Sequence, residues 1–380
     1  MRTAIVLFTR DLRVRDHPAL AAAAERAEHV VPLFVHDDAI RAGANRRAVL
    51  RLALAELDAS LRRLGSGLLV RSGDVVAETV QLARAIGAAT VFVSEDVTAY
   101  AQTREERLER ELGRIPLEVC PGVTVVPPGL LTPSGGGDHY RVFTPFFRRW
   151  LAADLRPVLP APRRLSLPRG LDPPAVPAKR RPDEPHLSAR IHFGSVSPRE
   201  LVDELPPERV RGLAWRDFFH QLLAARPETA REDLHARGDR WRESKRDLQA
   251  WKEGKTGYPI VDAGMRQLAE EGWISNRIRL IVASFLTKDL YLDWRAGAEH
   301  FFALLVDGDV ANNVGNWQWM AGTGADPRPN RVLNPTLQAK RFDPDGAYTR
   351  RWIPELGTRD YPPPIVDHAA AVERFRAARG

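Results

Sequence analysis

The most informative stretch of this chain is Asp307-Gly-Asp-Val-Ala-Asn-Asn-Val-Gly-Asn-Trp317-Gln-Trp319, followed by Met320-Ala-Gly-Thr-Gly. It places two carboxylates, three asparagine amides and two indoles in a glycine-interrupted segment that has neither a helical nor a strand period. Such a segment is poorly suited to filling a core, because every buried amide and carboxylate needs a hydrogen-bonding partner. We therefore expect it to bind a large, flat, polar ligand.

The composition limits the class of protein. Hydrophobic residues make up 44% of the 380 residues and charged residues 28%, as in soluble globular proteins long enough for two domains. No apolar run approaches the ~20 residues of a membrane span. The single cysteine, Cys120, excludes internal disulfides and cysteine-rich metal sites, so we expect no metal and a cytoplasmic location. The formal charge of +7 favours a polyanionic partner, although an arginine-rich composition alone can produce it.

The first half of the chain alternates between short apolar runs and helical patterns. The predicted strands are Ala4–Phe8, Val30–Val35, Leu68–Arg71 and Val91–Ser94, and the predicted helices are Pro18–Ala27, Leu50–Leu64 and Val76–Ile86. This alternation predicts an α/β domain with a doubly wound parallel sheet that ends near Val126. No G-x-G-x-x-G follows the first strand, so an ordinary dinucleotide site is not expected.

The second half is patterned as helices only. Nine prolines between Pro157 and Pro185 predict a linker before it. The helical segments are Leu201–Leu205, Trp215–Leu223, Val261–Glu271, Asn276–Leu290 and Ala298–Leu305. We therefore predict an α/β domain at residues 1–127, a proline-rich linker at 128–185 and an all-α domain at 186–380. The last dozen residues are expected to form a frayed tail.

Along nearly its whole length the chain resembles the DNA photolyase/cryptochrome family, and most of all the class I cyclobutane pyrimidine dimer photolyases. The Asp307–Trp319 segment resembles the family's flavin-binding core, and Thr9-Arg-Asp-Leu-Arg-Val-Arg-Asp16-His-Pro-Ala-Leu20 resembles its opening signature. The resemblance implies FAD as cofactor and UV-damaged DNA as partner. The implied activity is that of a carbon–carbon lyase, which splits the dimers in blue light by electron transfer from excited reduced FAD. We expect a monomer.

The resemblance also implies roles for individual residues near the flavin. Trp317, Trp294 and Trp241 match the tryptophans that pass an electron from the protein surface to the flavin, although any single tryptophan is also explained as core filler. Asn313 matches the residue at the flavin N5 edge, where an amide can either donate or accept a hydrogen bond. The other residues that match FAD contacts are Leu187, Ser188, Arg216, Asn276, Arg279, Asp307, Gly308 and Asp309. A structural ion pair between Arg279 and Asp307 is the alternative for those two residues.

DNA and antenna contacts are implied in the same way. Trp215 and Trp319 match aromatic residues that flank a flipped-out dimer, and stacking returns ~1–3 kcal/mol per base. The polar and apolar contacts near the dimer match Asn276, Arg277, Leu280 and Gln338. Asp96, with Glu95 beside it, matches the contact that the family makes to a deazaflavin antenna. The implied antenna is of the 8-hydroxy-5-deazaflavin type or methenyltetrahydrofolate. A helix N-cap is the alternative for Asp96, and Asp16 is predicted to cap the first helix.

Some positions depart from the family pattern. Gly212 stands where dimer photolyases carry a glutamate that hydrogen-bonds the lesion. The flavin-phosphate loop is altered to Glu184-Pro-His-Leu187-Ser188, in which the Glu184 carboxylate would repel a pyrophosphate. The first departure favours a cryptochrome-like blue-light receptor that does not repair DNA. The second favours a DNA-binding relic with weak FAD binding, so both alternatives stay open beside repair.

Overall fold

The computed structural model describes residues 2–40, 42–177 and 185–379. Contacts within the chain divide it into two compact units, Met1–Pro227 and Glu228–Gly380, and each is described by itself. The domain boundaries predicted at residues 127 and 185 differ from this division and stay predictions. Glu184 lies outside the described residues, so its expected effect on a phosphate also stays a prediction.

The first unit contains a parallel five-stranded sheet in the order β3-β2-β1-β4-β5. The strands are β1 Thr3–Phe8, β2 His29–His36, β3 Leu69–Ser72, β4 Thr90–Ser94 and β5 Leu117–Cys120. The helices between them are α1 Pro18–Arg26, α2 Ala44–Arg63, α3 Val75–Ala85 and α4 Ala99–Leu112. The central strand β1 is buried along its whole length, as expected for a parallel sheet covered on both faces. The predicted doubly wound α/β fold is confirmed.

Four more helices follow the sheet in this unit. They are α5 Phe143–Leu151, α6 Leu187–Phe193, α7 Pro198–Glu204 and α8 Pro207–Ala225. Residues 143–151 fall in the predicted linker, yet they form a helix because Phe143, Phe146 and Trp150 are spaced to bury one face. That face packs on α8, where the Trp150 indole donates a 2.9 Å hydrogen bond to Asp217.

The cap of α1 corrects a prediction by one residue. His17 caps the helix, since its Nδ1 accepts a 3.1 Å hydrogen bond from the Leu20 amide. Asp16 instead has a positive φ of 49°. Its carboxylate accepts hydrogen bonds from the side chains of Arg156 and Ser197. Asp16 therefore ties α1 to later segments of the same unit rather than capping it.

Among its described residues the second unit contains helices and connecting loops but no strand, which confirms the predicted all-α fold. A 3₁₀ turn at Pro227–Ala230 precedes α9 Lys245–Lys252, α10 Pro259–Glu271, α11 Asn276–Ser284, a π-helical turn Phe285–Asp289, α12 Trp294–Leu304, α13 Val310–Ala321, α14 Pro335–Phe342, α15 Ala347–Trp352 and α16 His368–Arg379. Its core is formed by α10–α13, with Trp251, Trp294 and Trp317 among the buried side chains. No helix in the described part of the chain is long and apolar enough to cross a membrane.

Two predictions about this unit are wrong. The Asp307–Trp319 segment is mostly the helix α13, because the Asp309 carboxylate caps it by accepting from the Asn312 amide at 2.8 Å. The chain end is a packed helix rather than a frayed tail. Phe375 of α16 is fully buried, and the Arg379 guanidinium pairs with the buried carboxylate of Asp239.

Candidate functional site

A cavity opens in the second unit between α11, α12 and α13. Its empty volume, including the mouth, is about 490 Å³. The apolar part of the wall consists of Leu280, Ala283, Phe301, Leu305, Trp317 and Met320. The polar part consists of Asn276, Arg279, Asp307, Asp309, Asn312, Asn313 and Asn316, together with Gly308. The fold thus brings together six of the predicted FAD contacts, although their role stays a prediction.

Arg279 and Asp307 form an ion pair at the polar wall, in which one guanidinium nitrogen contacts both carboxylate oxygens. Arg279 Nη2 lies 3.0 Å from Oδ1 and 2.8 Å from Oδ2 of Asp307. Arg279 Nε donates to the Ile274 carbonyl at 3.0 Å, so the plane of the guanidinium is fixed. Nη1 takes part in neither contact. A cation held in this way can meet negative charge on a ligand without reorganising.

The first turn of α13 supplies the amides of the wall. The Asp309 carboxylate also accepts from the Asn312 side chain at 2.7 Å, which orients that amide. Asn313 donates one N–H to the Ala298 carbonyl at 2.8 Å. This contact leaves the second N–H and the carbonyl oxygen of Asn313 for a ligand.

Trp317 forms the apolar end of the cavity and is only 2% exposed. Its ring contacts Phe301 at 5.0 Å and Trp251 at 6.0 Å between centroids. It also lies directly on the backbone of α12, because a Cβ added at Gly297 would be 2.2 Å from Trp317 Cη2. Gly297 therefore allows the close approach that fixes this indole.

Trp294 lies on α12, one helical turn before Gly297, and is buried. Its indole N–H donates to Asp233 at 2.8 Å, and the guanidinium of Arg295 lies 4.7 Å from the ring centroid. Trp241 is partly buried, and its ring centroid is 5.1 Å from that of Tyr291. The three tryptophans belong to one helical unit, but electron transfer between them stays a prediction.

Several side chains in the second unit were predicted to meet DNA. Arg277 is exposed, and its guanidinium lies 4.5 Å from the ring centroid of Phe342. Gln338 lies on α14, and its buried Oε1 has no hydrogen-bond partner in the part of the chain that the structure describes. Leu337 beside it is 59% exposed. Arg277 and Leu337 offer charge and an apolar surface to a partner, whereas the Gln338 amide oxygen is buried and Trp319 is packed against the core.

Other predicted residues lie in the first unit. Trp215 of α8 stacks face to face on Phe143, with ring centroids 3.6 Å apart and planes at 4°. Arg216 is buried and donates to the Val123 carbonyl at 2.7 Å. Leu187 and Ser188 open the short helix α6. Their roles at the flavin or the lesion stay predictions.

The position that lacks the family's glutamate is open. Gly212 is exposed on α8, and a Cβ added there would meet no atom of the described residues within 4 Å. Trp215 follows it by three residues, so a side chain at position 212 would share a helix face with the Trp215 indole. The neighbouring Arg211 places its guanidinium 4.9 Å from the Phe143 ring centroid.

The predicted antenna residues follow β4. Asp96 accepts from Arg10 Nη1 and from the Thr98 amide, both at 3.1 Å. Thr98 rather than Asp96 caps α4, so the N-cap alternative for Asp96 is wrong. Burial raises the pKa of the Glu95 carboxyl, and the neighbouring carboxylate of Glu105 raises it further. Glu95 Oε1 is buried without a hydrogen-bond partner among the described residues.

Sequence reasoning missed part of the cavity wall. Phe301, Asn312 and Met320 line it without having been singled out. Asn312 follows the capping Asp309 by three residues, and this spacing is a usable signal for a helix start. Phe301 and Met320 have the apolar spacing of ordinary core residues, so the sequence held no signal for them.

The cavity fits the flavin part of FAD. A flavin presents a flat aromatic system with a polar hydrogen-bonding edge, and the wall offers the indole of Trp317 opposite amides and a fixed guanidinium. Arg279, Asp307, Asp309 and Asn313 are the polar groups that would hold it. No side chain among residues 2–40, 42–177 and 185–379 fills the cavity.

Comparison with known proteins agrees with this geometry. Residues 4–163 match the family model described as DNA photolyase, and residues 209–360 match the FAD binding domain of DNA photolyase. Residues 164–208, which include Leu187 and Ser188, lie outside both matches.

A deoxyribodipyrimidine photo-lyase of Streptomyces griseus is 45% identical over 453 residues, covering 100% of both chains. Two solved structures cover 100% of this chain. One is a class III photolyase from Agrobacterium tumefaciens, with a TM-score of 0.89, 31% identity and 97% of its own chain covered. The other is a Synechocystis cryptochrome, with a TM-score of 0.91, 27% identity and 99% of its own chain covered. The chain therefore belongs to the DNA photolyase family, with an α/β first half and a helical FAD-binding domain.

Proposed function

We propose that this protein is a deoxyribodipyrimidine photo-lyase, which uses blue light to split cyclobutane pyrimidine dimers in DNA. The observation that carries the proposal is the open cavity of the second unit, where a fixed Arg279–Asp307 pair faces an apolar wall formed by Trp317. A relative of that name is 45% identical over the whole chain. We further propose a cytoplasmic monomer whose partner is UV-damaged DNA.

Bound FAD supplies the light-driven electron donor for this chemistry. The residues of the cavity position it and exclude water. Arg279 opposes negative charge at the polar edge, and Asp307 keeps the guanidinium in place. Asn313 offers both a donor and an acceptor, so it accommodates a change in protonation at the group that it faces. Asn276, Gly308 and Asp309 complete the proposed FAD site within the second unit. Leu187, Ser188 and Arg216 of the first unit stay proposed FAD contacts on the resemblance alone.

We propose that Trp241, Trp294 and Trp317 carry electrons towards the cavity. Trp317 forms its wall, and Gly297 holds that indole against α12, the helix that also carries Trp294. Indoles suit this role because they oxidise more easily than most side chains. The relay would keep the cofactor in the electron-rich state from which donation starts.

We propose that the lesion is flipped out of the duplex and held by stacking. Trp215 and Trp319 are the proposed stacking residues, and Asn276, Arg277, Leu280 and Gln338 the proposed contacts near the lesion. The exposed guanidinium of Arg277 suits a phosphate, which positions DNA without reading its sequence. A damaged pair is easier to extrude than an intact one, so such a site selects lesions.

A second chromophore is proposed at the end of β4. Glu95 offers a buried carboxyl with an unused oxygen, and Asp96 is held by Arg10. A carboxyl with a raised pKa can donate as well as accept, which suits a heterocyclic ligand. A spectrum of the purified protein would show whether a deazaflavin or a folate is bound.

The second candidate function is a blue-light receptor without repair, and Gly212 is the observation that favours it. At this position the chain offers no side chain to a lesion. The two functions separate in one assay, in which thymine-dimer DNA is illuminated with blue light and the remaining dimers are counted. Repair that depends on light and on bound FAD supports the proposal. A yellow protein that reduces its flavin in light but leaves every dimer intact would contradict it.

A further inference from the structure

The indole of Trp294 is hydrogen-bonded to a carboxylate. Its Nε1–H donates to Asp233 Oδ1 at 2.8 Å, and the ring is 1% exposed. The same oxygen accepts from Arg295 Nη2 at 3.0 Å. The Asp233 side chain is 16% exposed, so this contact is largely shielded from water. A buried indole that bonds to a carboxylate differs from one that bonds to a carbonyl, as Trp251 does to Val282.

Arg295 opposes positive charge on this ring. Its guanidinium lies 4.7 Å from the Trp294 ring centroid. That arrangement stabilises the neutral indole through its negative face, but it repels the positive charge that appears when the indole loses an electron. Asp233 supplies the negative charge that offsets this repulsion, because its oxygen accepts the hydrogen bond from the indole N–H itself. In a shielded site, such contacts weigh far more than they do in water.

An oxidised indole is a much stronger acid than a neutral one, because the positive charge is shared by its N–H. We propose that Asp233 accepts the Nε1 proton of Trp294 when Trp294 gives up an electron, so that this step of the relay is coupled to a proton. The inference rests on the proposed electron relay and adds a residue to it. Asp233 acts through Trp294 and is neither one of the residues that line the cavity nor one of the proposed DNA contacts.

Charge and protons balance in the step. An oxidised Trp317 takes one electron from Trp294, and the proton of Trp294 moves along the 2.8 Å bond to Asp233. This leaves Trp317 neutral, Trp294 as a neutral indolyl radical and Asp233 as a carboxylic acid. When Trp241 supplies an electron to Trp294, the proton returns and the positive charge resides on Trp241. The oxidant that starts the sequence would be FAD excited while it is short of an electron; it would take that electron from Trp317, and the relay would in this way return FAD to the reduced form that the proposed repair uses.

The proton shift would give the relay a direction. A neutral indolyl radical carries no charge for Arg295 to repel. The return of the electron from Trp317 to Trp294 is therefore less favourable. The carboxylate also remains close enough to hand the proton back without a solvent molecule. The radical is therefore retained at Trp294 until Trp241 supplies an electron.

A first test examines the hydrogen bond in the dark. The indole resonances of protein labelled with ¹⁵N-tryptophan are assigned with Trp294→Phe and then compared in Asp233→Asn and Asp293→Asn. Asp293 is the matched control, because it also binds Arg295, at 3.1 Å, and caps α12 without touching the indole. Asparagine caps helices as well as aspartate does. We expect only Asp233→Asn to move the Trp294 signal. An unmoved signal in Asp233→Asn would overturn this inference but would leave the proposed function untouched.

A second test follows the radical after a laser flash in a Trp241→Phe background, where the positive charge stops at Trp294. The protonated and neutral indole radicals have different absorption spectra. We expect the neutral form in this background and with Asp293→Asn, and at least tenfold slower deprotonation with Asp233→Asn. Equal rates in all three proteins would overturn the role of Asp233. If no indole radical forms in the Trp241→Phe protein, the relay itself fails, and this inference with it.

Discussion

Replacing Gly212 by glutamate tests both the repair proposal and the departure that most challenges it. Gly212 is the sixth residue of α8, and a Cβ there meets no atom within 4 Å in the part of the chain that the structure describes, so the change fits there without strain. Glycine in a helix interior is about 0.8–1 kcal/mol less favourable than alanine. A glutamate would face Glu208 four residues before it and Arg216 four residues after it, and these pairs offset each other at about 0.2–0.5 kcal/mol each. We therefore expect a more stable protein.

The functional gain is expected to exceed this gain in stability. A hydrogen bond to a charged group contributes about 1.5–3 kcal/mol. If it forms as the dimer takes up an electron, it corresponds to about 10- to 160-fold in the rate constant for splitting. The new carboxyl shares a helix face with Trp215, the proposed stacking residue, and is therefore placed to make that bond.

The assay counts thymine dimers in a defined oligonucleotide against absorbed blue-light dose. The matched control is Gly212→Ala, which removes the same glycine without adding a carboxyl. We expect measurable repair by the natural protein, little change with alanine and a clear rise with glutamate. Equal repair by the alanine and glutamate proteins would refute the reasoning about the carboxyl, and no repair by any of the three would refute the repair proposal.

Three further predictions concern the second unit. Gly297→Ala forces a methyl group against Trp317, so we expect the free energy of unfolding to fall by about 1–3 kcal/mol in denaturant titrations, whereas Gly212→Ala raises it. Asp307→Ala removes the partner of Arg279, and we expect FAD affinity, measured by fluorescence titration, to fall at least tenfold; unchanged affinity would exclude the pair from the cofactor site. Burial lowers the pKa of Lys288 from 10.5 to about 7, so the unfolded chain binds more protons between those values and stability rises with pH across that window. We expect the natural protein to gain about 2 kcal/mol relative to Lys288→Met between pH 7 and pH 9 in chemical denaturation, and parallel curves would contradict the buried position of the charge.

The fold was predictable wherever the hydrophobic pattern was simple. β1 is a continuous apolar run that is buried on both faces, and this pattern has few alternatives. The leucine stripe of α2 has a helical period for the same physical reason. Such elements follow from burial alone.

The errors arose where polar groups or neighbouring prolines masked a helix. In α13 the amides of Asn312 and Asn313 face the cavity, so the apolar stripe that marks most helices is broken. In α5 the apolar spacing was present, but it lies beside a proline-rich segment that favoured a linker. The α1 cap shifted by one residue because Arg156 and Ser197 hold the Asp16 carboxylate, and the His17 ring nitrogen accepts from the Leu20 amide instead.

The site was predictable only in part. Arg279 and Asp307 are 28 residues apart, and resemblance to a family rather than spacing indicated their pairing. Asp233 lies in an irregular segment 61 residues before Trp294, and no local sequence pattern predicts their contact. Contacts of this kind depend on how loops return to the core, which a single sequence does not encode in any short-range signal.

The last helix has a consequence for how the second unit holds together. Arg379 neutralises the buried Asp239, His368 contacts the buried Asp289, and Phe375 faces the buried Lys288. Removing α16 would take away the cation beside Asp239, the imidazole beside Asp289 and the ring packed on Lys288 in one step, and taking the partner from a buried charge costs more than losing an apolar contact. We therefore expect α16 to detach as a whole rather than to fray residue by residue, and its loss to lower the stability of the second unit.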